Sequence, residues 1–136
     1  MLQPKRLKHR RQFRGIYRRT AIKGNNVNFG THGVKALEPG MITDRQIESC
    51  RVVMARATRK AGRFWIRIFP DRPYTKKPPE VTMGAGKGDV SHYVAVVVPG
   101  RIMYEIEGLD ADTIKAMHRN LSSKLGIKTK LVPKHL

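Results

Sequence analysis

All ten acidic residues of this 136-residue chain fall between Glu38 and Asp112. Outside that stretch the charge has one sign: Met1 to Leu37 carries ten Lys and Arg, Lys115 to Leu136 carries six, and neither holds a carboxylate. The stretch between them is nearly balanced, with twelve basic and ten acidic residues, so the chain reads as an almost neutral globular middle with a cationic segment at each end. The length suits one domain, and a hydrophobic fraction of 40% fills a modest core, which excludes a wholly disordered basic tail. A net charge of +18 points to a polyanionic partner, nucleic acid or an anionic membrane surface, rather than a small neutral substrate.

The longest strongly apolar stretch, Tyr93 to Val98, is closed by Pro99-Gly100 and falls far short of the roughly 18–20 residues that span a bilayer. No transmembrane helix, and no membrane partner, is expected. The basic start lacks the apolar core of a secretory signal, although an Arg-rich, acid-free start also fits a mitochondrial presequence. Cys50 is the single cysteine, which allows neither an intramolecular disulfide nor a cysteine-rich zinc site and fits a reducing compartment.

In the N-terminal run Lys5, Arg6, Lys8, Arg10, Arg11, Arg14, Arg18 and Arg19 are interleaved with Leu7, Phe13, Ile16 and Tyr17. Cations contact phosphates and aromatics stack on bases, so this run reads as a nucleic-acid arm, with a solvated basic tail as the plainer alternative. Met1 to about Arg19 has too little apolar surface to order itself and is expected to become ordered only on RNA.

Farther along, Thr31 to Leu37 reads as a strand broken by Pro39-Gly40. Thr43 with Gln46 three residues on makes a capping box that starts a helix, and Gly62 supplies its stop. Within it Ile47, Cys50, Val53, Met54, Ala57 and Ala61 share one face, whereas Arg45, Arg56, Arg59, Lys60 and Arg63 share another, which reads as a second RNA-facing surface beside simple solvation. Arg63 to Phe69 reads as a strand ended by Pro70-Asp71-Arg72-Pro73, and Arg67 on it is counted among the rRNA-binding cations. Lys76-Lys77-Pro78-Pro79 reads as a stiff connector, followed by a strand from Glu80 to Met83. Ser91 to Val98 and Arg101 to Ile106 read as strands joined at Pro99-Gly100 by a tight hairpin turn. A second helix starts near Asp110, places Ile114, Met117, Leu121 and Leu125 on one face and stops at Gly126, before a last strand from Ile127 to Val132. The expected class is α+β, two helices packed on a mixed or antiparallel sheet, with residues 1–25 as a basic arm and 26–136 as one domain carrying a hairpin tip at 82–90.

No catalytic constellation emerges. Gly84-Ala85-Gly86-Lys87-Gly88 suggests a phosphate loop but has Val81 where the Walker pattern needs Gly, and Gly88 where it needs Ser or Thr. It reads instead as a flexible, cationic hairpin tip. Glu105 and Glu107 suit a surface strand, and Asp110 and Asp112 a helix start. His9, His32, His92, His118 and His135 lack metal-ligand spacing. The expectation is therefore no enzyme, no cofactor, no metal and no small-molecule substrate.

Several blocks together resemble one family. Leu2-Gln3-Pro4-Lys5-Arg6, Thr43-Asp44-Arg45-Gln46-Ile47-Glu48, Gly62-Arg63-Phe64-Trp65-Ile66-Arg67-Ile68-Phe69-Pro70-Asp71-Arg72-Pro73, Met83-Gly84-Ala85-Gly86-Lys87-Gly88 and Tyr104-Glu105-Ile106-Glu107-Gly108 occur in an order similar to that of the bacterial and organellar large-subunit ribosomal protein L sixteen family. The resemblance covers nearly the whole chain. It implies a hammerhead-like α/β sandwich on the ribosome, in the bacterial cytoplasm or an organelle, touching large-subunit rRNA, tRNA and neighbouring large-subunit ribosomal proteins. It further implies an arm from Lys5 to Arg19 that enters rRNA near the peptidyl transferase region, and a tRNA-proximal tip formed by Thr82, Met83, Gly84, Ala85, Gly86, Lys87 and Gly88. Thr82 stands where the family usually has Arg, and Ala85 where Lys or Arg is common, so the tip is short of two charges and offers no arginine for hydroxylation. Cys50-Arg51-Val52-Val53 replaces a more basic, alanine-rich version of the helix. A free-standing DNA- or RNA-binding module, such as a nucleoid or antitermination protein, is the alternative function.

Overall fold

The protein is described by a computed structural model over residues 2–8, 19–76 and 89–134. Helix α1, Asp44–Ala57, begins as its capping residues dictate: Thr43 Oγ1 accepts from the Gln46 N–H at 3.1 Å, and Gln46 Oε1 accepts from the Thr43 N–H at 2.9 Å. Ile47, Cys50 and Met54 are fully buried, with Val53 and Ala57 packed at the edge of the same cluster. The helix ends one turn earlier than expected. The Thr58 hydroxyl joins its own backbone N–H on the Met54 carbonyl, at 2.8 and 3.0 Å, a local side-chain bond that competes with continuing the helix. Ala61 consequently leaves the packing face and is exposed.

Helix α2, Ala111–Leu125, buries Ile114, Met117, Leu121 and Leu125 and stops at Gly126, whose φ of +74° is the left-handed cap expected there. The two helices pack side by side. Gln46 Nε2 donates to the Leu125 carbonyl at 3.4 Å, joining the start of α1 to the end of α2.

Seven strands lie among the described residues: β1 (His32–Ala36), β2 (Gly40–Thr43), β3 (Arg63–Ile66), β4 (Arg72–Lys76), β5 (Asp89–Val97), β6 (Ile102–Glu107) and β7 (Thr129–Pro133). They form two sheets, β3-β6-β1-β7 and β2-β5-β4, with every pairing antiparallel. The α+β class with two helices on antiparallel sheets is thus the observed one, divided between two sheets.

Three sequence expectations are corrected. β2 forms at the expected break, and β4 forms where Pro70-Asp71-Arg72-Pro73 was expected to end a strand ahead of the connector that starts at Lys76. β4 tolerates Pro73 because it is an edge strand. The Pro99-Gly100 turn is tight, with the Arg101 N–H donating to the Val98 carbonyl at 3.2 Å, but it does not make a hairpin. β5 is the middle strand of one sheet and β6 an interior strand of the other, so the turn carries the chain between sheets. Each of these strands is flanked by two partners in its own sheet. The strand expected from Glu80 to Met83 lies outside the described residues.

In β6, Tyr104 pairs with Val34 and Ile102 with Lys35, which leaves Met103 as an extra residue in a bulge. The bulge lets Met103, Tyr104 and Ile106 all join the cluster formed with both helices. Leu2 also packs against this cluster, so the start of the chain touches the core, while residues 9–18 of the expected arm lie outside the described residues.

Candidate nucleic-acid interface

The cations expected to meet RNA divide into three groups. Lys5, Arg6, Lys8 and Arg19 are exposed, whereas Arg10, Arg11, Arg14 and Arg18 lie outside the described residues. Arg45 and Arg56, both exposed, stand about 20° apart around α1 at roughly 100° per residue. Arg59, Lys60 and Arg63 are exposed too, but they belong to the loop after α1 and the first position of β3, so the basic surface continues beyond the helix. The tip, Thr82, Met83, Gly84, Ala85, Gly86, Lys87 and Gly88, lies outside the described residues.

Exposure matters because a cation already holding a carboxylate has little left for a phosphate. Arg51 is such a case: its Nη2 lies 2.6 Å from Glu48 Oε1, and that hydrogen bond holds the Glu48 carboxyl below its usual range. Arg45, Arg56, Arg59, Lys60 and Arg63 make no ion pair among the described residues.

The structure places Arg67 differently. Its Nη1 lies 2.9 Å from Glu105 Oε2, and it also donates to the Asn26 carbonyl. Glu105 is itself buried, at 1% exposure, and not on a surface strand as its spacing suggested. Its Oε1 accepts the backbone N–H groups of Asn28, Phe29 and Gly30 at 2.9, 2.7 and 3.0 Å. Three converging N–H groups make an anion nest, here filled by the chain's own carboxylate. Arg67 therefore holds the loop before β1 onto the four-stranded sheet, with its guanidinium 5.5 Å from the Phe29 ring centroid.

A second feature has no local signal in the sequence. An open groove of about 1050 Å³ is lined by Arg19, Ile22, Lys23, Arg67, Phe69, Arg72 and Arg101, with Leu7 and Asp71 among the remaining lining residues. Arg101 Nη2 donates to the Arg67 carbonyl at 2.9 Å and Nη1 to the Lys23 carbonyl at 3.4 Å, which fixes the guanidinium at the groove wall. Positions 23, 72 and 101 belong to three distant segments, so no window of sequence brings them together.

The remaining polar residues have structural roles. His118 Nε2 lies 3.0 Å from Thr129 Oγ1 and 3.3 Å from Ser122 Oγ, tying α2 to β7, and burial lowers its pKa. Cys50 is in the core, where burial pushes the thiol up and away from reactivity. Among the described residues no group of three or more His, Cys, Asp or Glu is arranged to hold a metal, and no helix is long and apolar enough to cross a membrane.

Comparison with known proteins bears on this surface. The sequence profile of the family Ribosomal protein L16p/L10e matches residues 4–132. The large ribosomal subunit protein uL16 of Fervidobacterium nodosum is 51% identical over 136 residues, a match that covers 99% of this chain and 95% of that protein.

Proposed function

Since the chain belongs to the ribosomal protein L16p/L10e family, whose members are structural proteins of the ribosome and not enzymes, we propose that it binds large-subunit rRNA near the peptidyl transferase region and supports tRNA positioning. Its place is the large ribosomal subunit, among rRNA and other ribosomal proteins. The observation that carries the rRNA-binding part is the set of exposed cations that pair with no carboxylate among the described residues. Lys5, Arg6, Lys8, Arg19, Arg45, Arg56, Arg59, Lys60 and Arg63 all face solvent, while Glu48 and Glu105 are occupied by arginines within the chain. Charge left uncompensated in this way is stabilised by a phosphate backbone. The basic arm of residues 1–25 and the body from residue 26 onward act together in this reading, the arm entering rRNA and the body presenting its cations to it.

The tRNA role is assigned to Thr82–Gly88. Alternating Gly84, Gly86 and Gly88 keep side-chain bulk low, so the backbone can approach a phosphate or ribose, with Lys87 as the charge. Two measurements test the reading. In a sucrose gradient at moderate salt the protein should stay with the large subunit, whereas a free-standing nucleic-acid module should leave it. Subunits carrying Gly86→Val should still assemble but bind tRNA more weakly, and Lys87→Ala should do so more mildly. Unchanged tRNA binding for Gly86→Val would remove the tip from the mechanism.

A further inference from the structure

We infer that the groove lined by residues 19–23, Phe69 and Arg101 seats an unpaired stretch of RNA, its backbone against Arg19, Lys23 and Arg101 and a base on the Phe69 ring. The inference rests on the rRNA-binding reading and adds to it a site and a form of RNA, single-stranded rather than duplex.

Charge comes first. Of the cations lining the groove, Arg67 is neutralised by Glu105 and Arg72 has contacts of its own, so neither is counted. Arg19, Lys23 and Arg101 remain, and none of them pairs with a carboxylate among the described residues. Arg101 is the most useful of the three. Its two hydrogen bonds to backbone carbonyls hold the guanidinium in place without cancelling its charge, and a guanidinium has five N–H donors, so several are left for a phosphate.

The apolar surface decides the form of RNA. Ile22 is 83% and Phe69 46% exposed, and both line the groove beside those cations. The outside of an RNA duplex offers phosphates and ribose hydroxyls, which gain nothing from an exposed ring. An unstacked base does gain from one, and aromatic side chains next to Arg and Lys are how single strands are held.

The test uses the full-length protein and fluorescence anisotropy with three probes: a short mixed-sequence single-stranded RNA, a duplex of the same sequence, and poly-glutamate. Phe69→Ala is expected to weaken single-strand binding about five- to tenfold, the low end for removal of a base–aromatic stack because the ring is only half covered by protein. Duplex binding should not change. Lys23→Gln should lower the slope of log K against log salt by about 0.7 for the single strand. Ile22→Ala, at an exposed position outside the core, should repeat the single-strand loss in smaller measure. Full single-strand affinity in both Phe69→Ala and Ile22→Ala would overturn the inference while the wild type still bound RNA. Equal loss on both RNAs, or tighter binding of poly-glutamate than of RNA, would also overturn it. A wild-type protein that bound neither RNA would sink the rRNA-binding reading as well.

Discussion

Arg67 and Glu105 form an ion pair of 2.9 Å in which the two partners are unequally provided for. The carboxylate also holds three backbone N–H groups, whereas the guanidinium's other contacts are a carbonyl and a ring face. Removing Arg67 leaves Glu105 with three donors. Removing Glu105 strands the buried Gly30 N–H, the part-buried N–H groups of Asn28 and Phe29, and a guanidinium at once. Glu105→Ala should therefore cost about 3–5 kcal/mol, the usual figure for breaking a buried pair, and Arg67→Ala clearly less. Urea unfolding of both variants measures this, and equal losses would show that the nest contributes nothing on its own.

Stability should also depend on pH through His118. Burial holds its pKa below the ordinary value of 6.5, so near that pH the unfolded chain binds a proton that the folded chain does not. The contribution is complete above about pH 6.5 and is lost as pH falls through the lower folded value. A melting temperature that drops on acidification in the wild type, and drops less in His118→Gln, is the expected result. Identical profiles would remove His118 from the pH response.

The exposed cations around α1 should act on RNA and not on the fold. Replacing Arg56, Arg59 and Arg63 together by Ala should flatten the dependence of log K on log salt by about 2–3 units on large-subunit rRNA, near 0.9 for each phosphate no longer neutralised. The melting temperature should stay within a few degrees, because all three side chains face solvent. A flat salt response already present in the wild type would contradict the electrostatic account.

Backbone packing makes a fourth prediction. At the Arg63–Glu107 end of the β3–β6 pairing, a Cβ on Gly108 would lie 2.6 Å from Gly62 Cα, and Gly108 has a φ of +82°. Gly108→Ala meets both a clash with backbone and a left-handed strain, so it should cost more than about 2 kcal/mol. Gly100→Ala carries the strain alone, since its Cβ would meet no atom closer than 3.4 Å. Thermal melts of the two variants should rank Gly108→Ala as the worse. The reverse order would mean that the Gly62 loop moves aside easily.

Legibility in the sequence followed the range of the forces involved. The Thr43–Gln46 capping box, the Gly126 stop and the apolar faces of both helices are contacts among residues a few positions apart, and these were readable from the sequence alone. So was the distribution of charge, because like charges repel whatever the fold, and with it the kind of partner. Strand pairing was not: Val97 and Ile102 are close in sequence yet enter different sheets, since each strand's choice of neighbours depends on surfaces brought in from elsewhere. Glu105 looked like a surface residue because the three N–H groups that make its burial tolerable come from residues 28–30, more than seventy positions away. The groove was hidden for the same reason. Lys23, Phe69 and Arg101 become one site only when three segments converge, and that convergence is a property of long-range packing, which no local pattern of residues encodes.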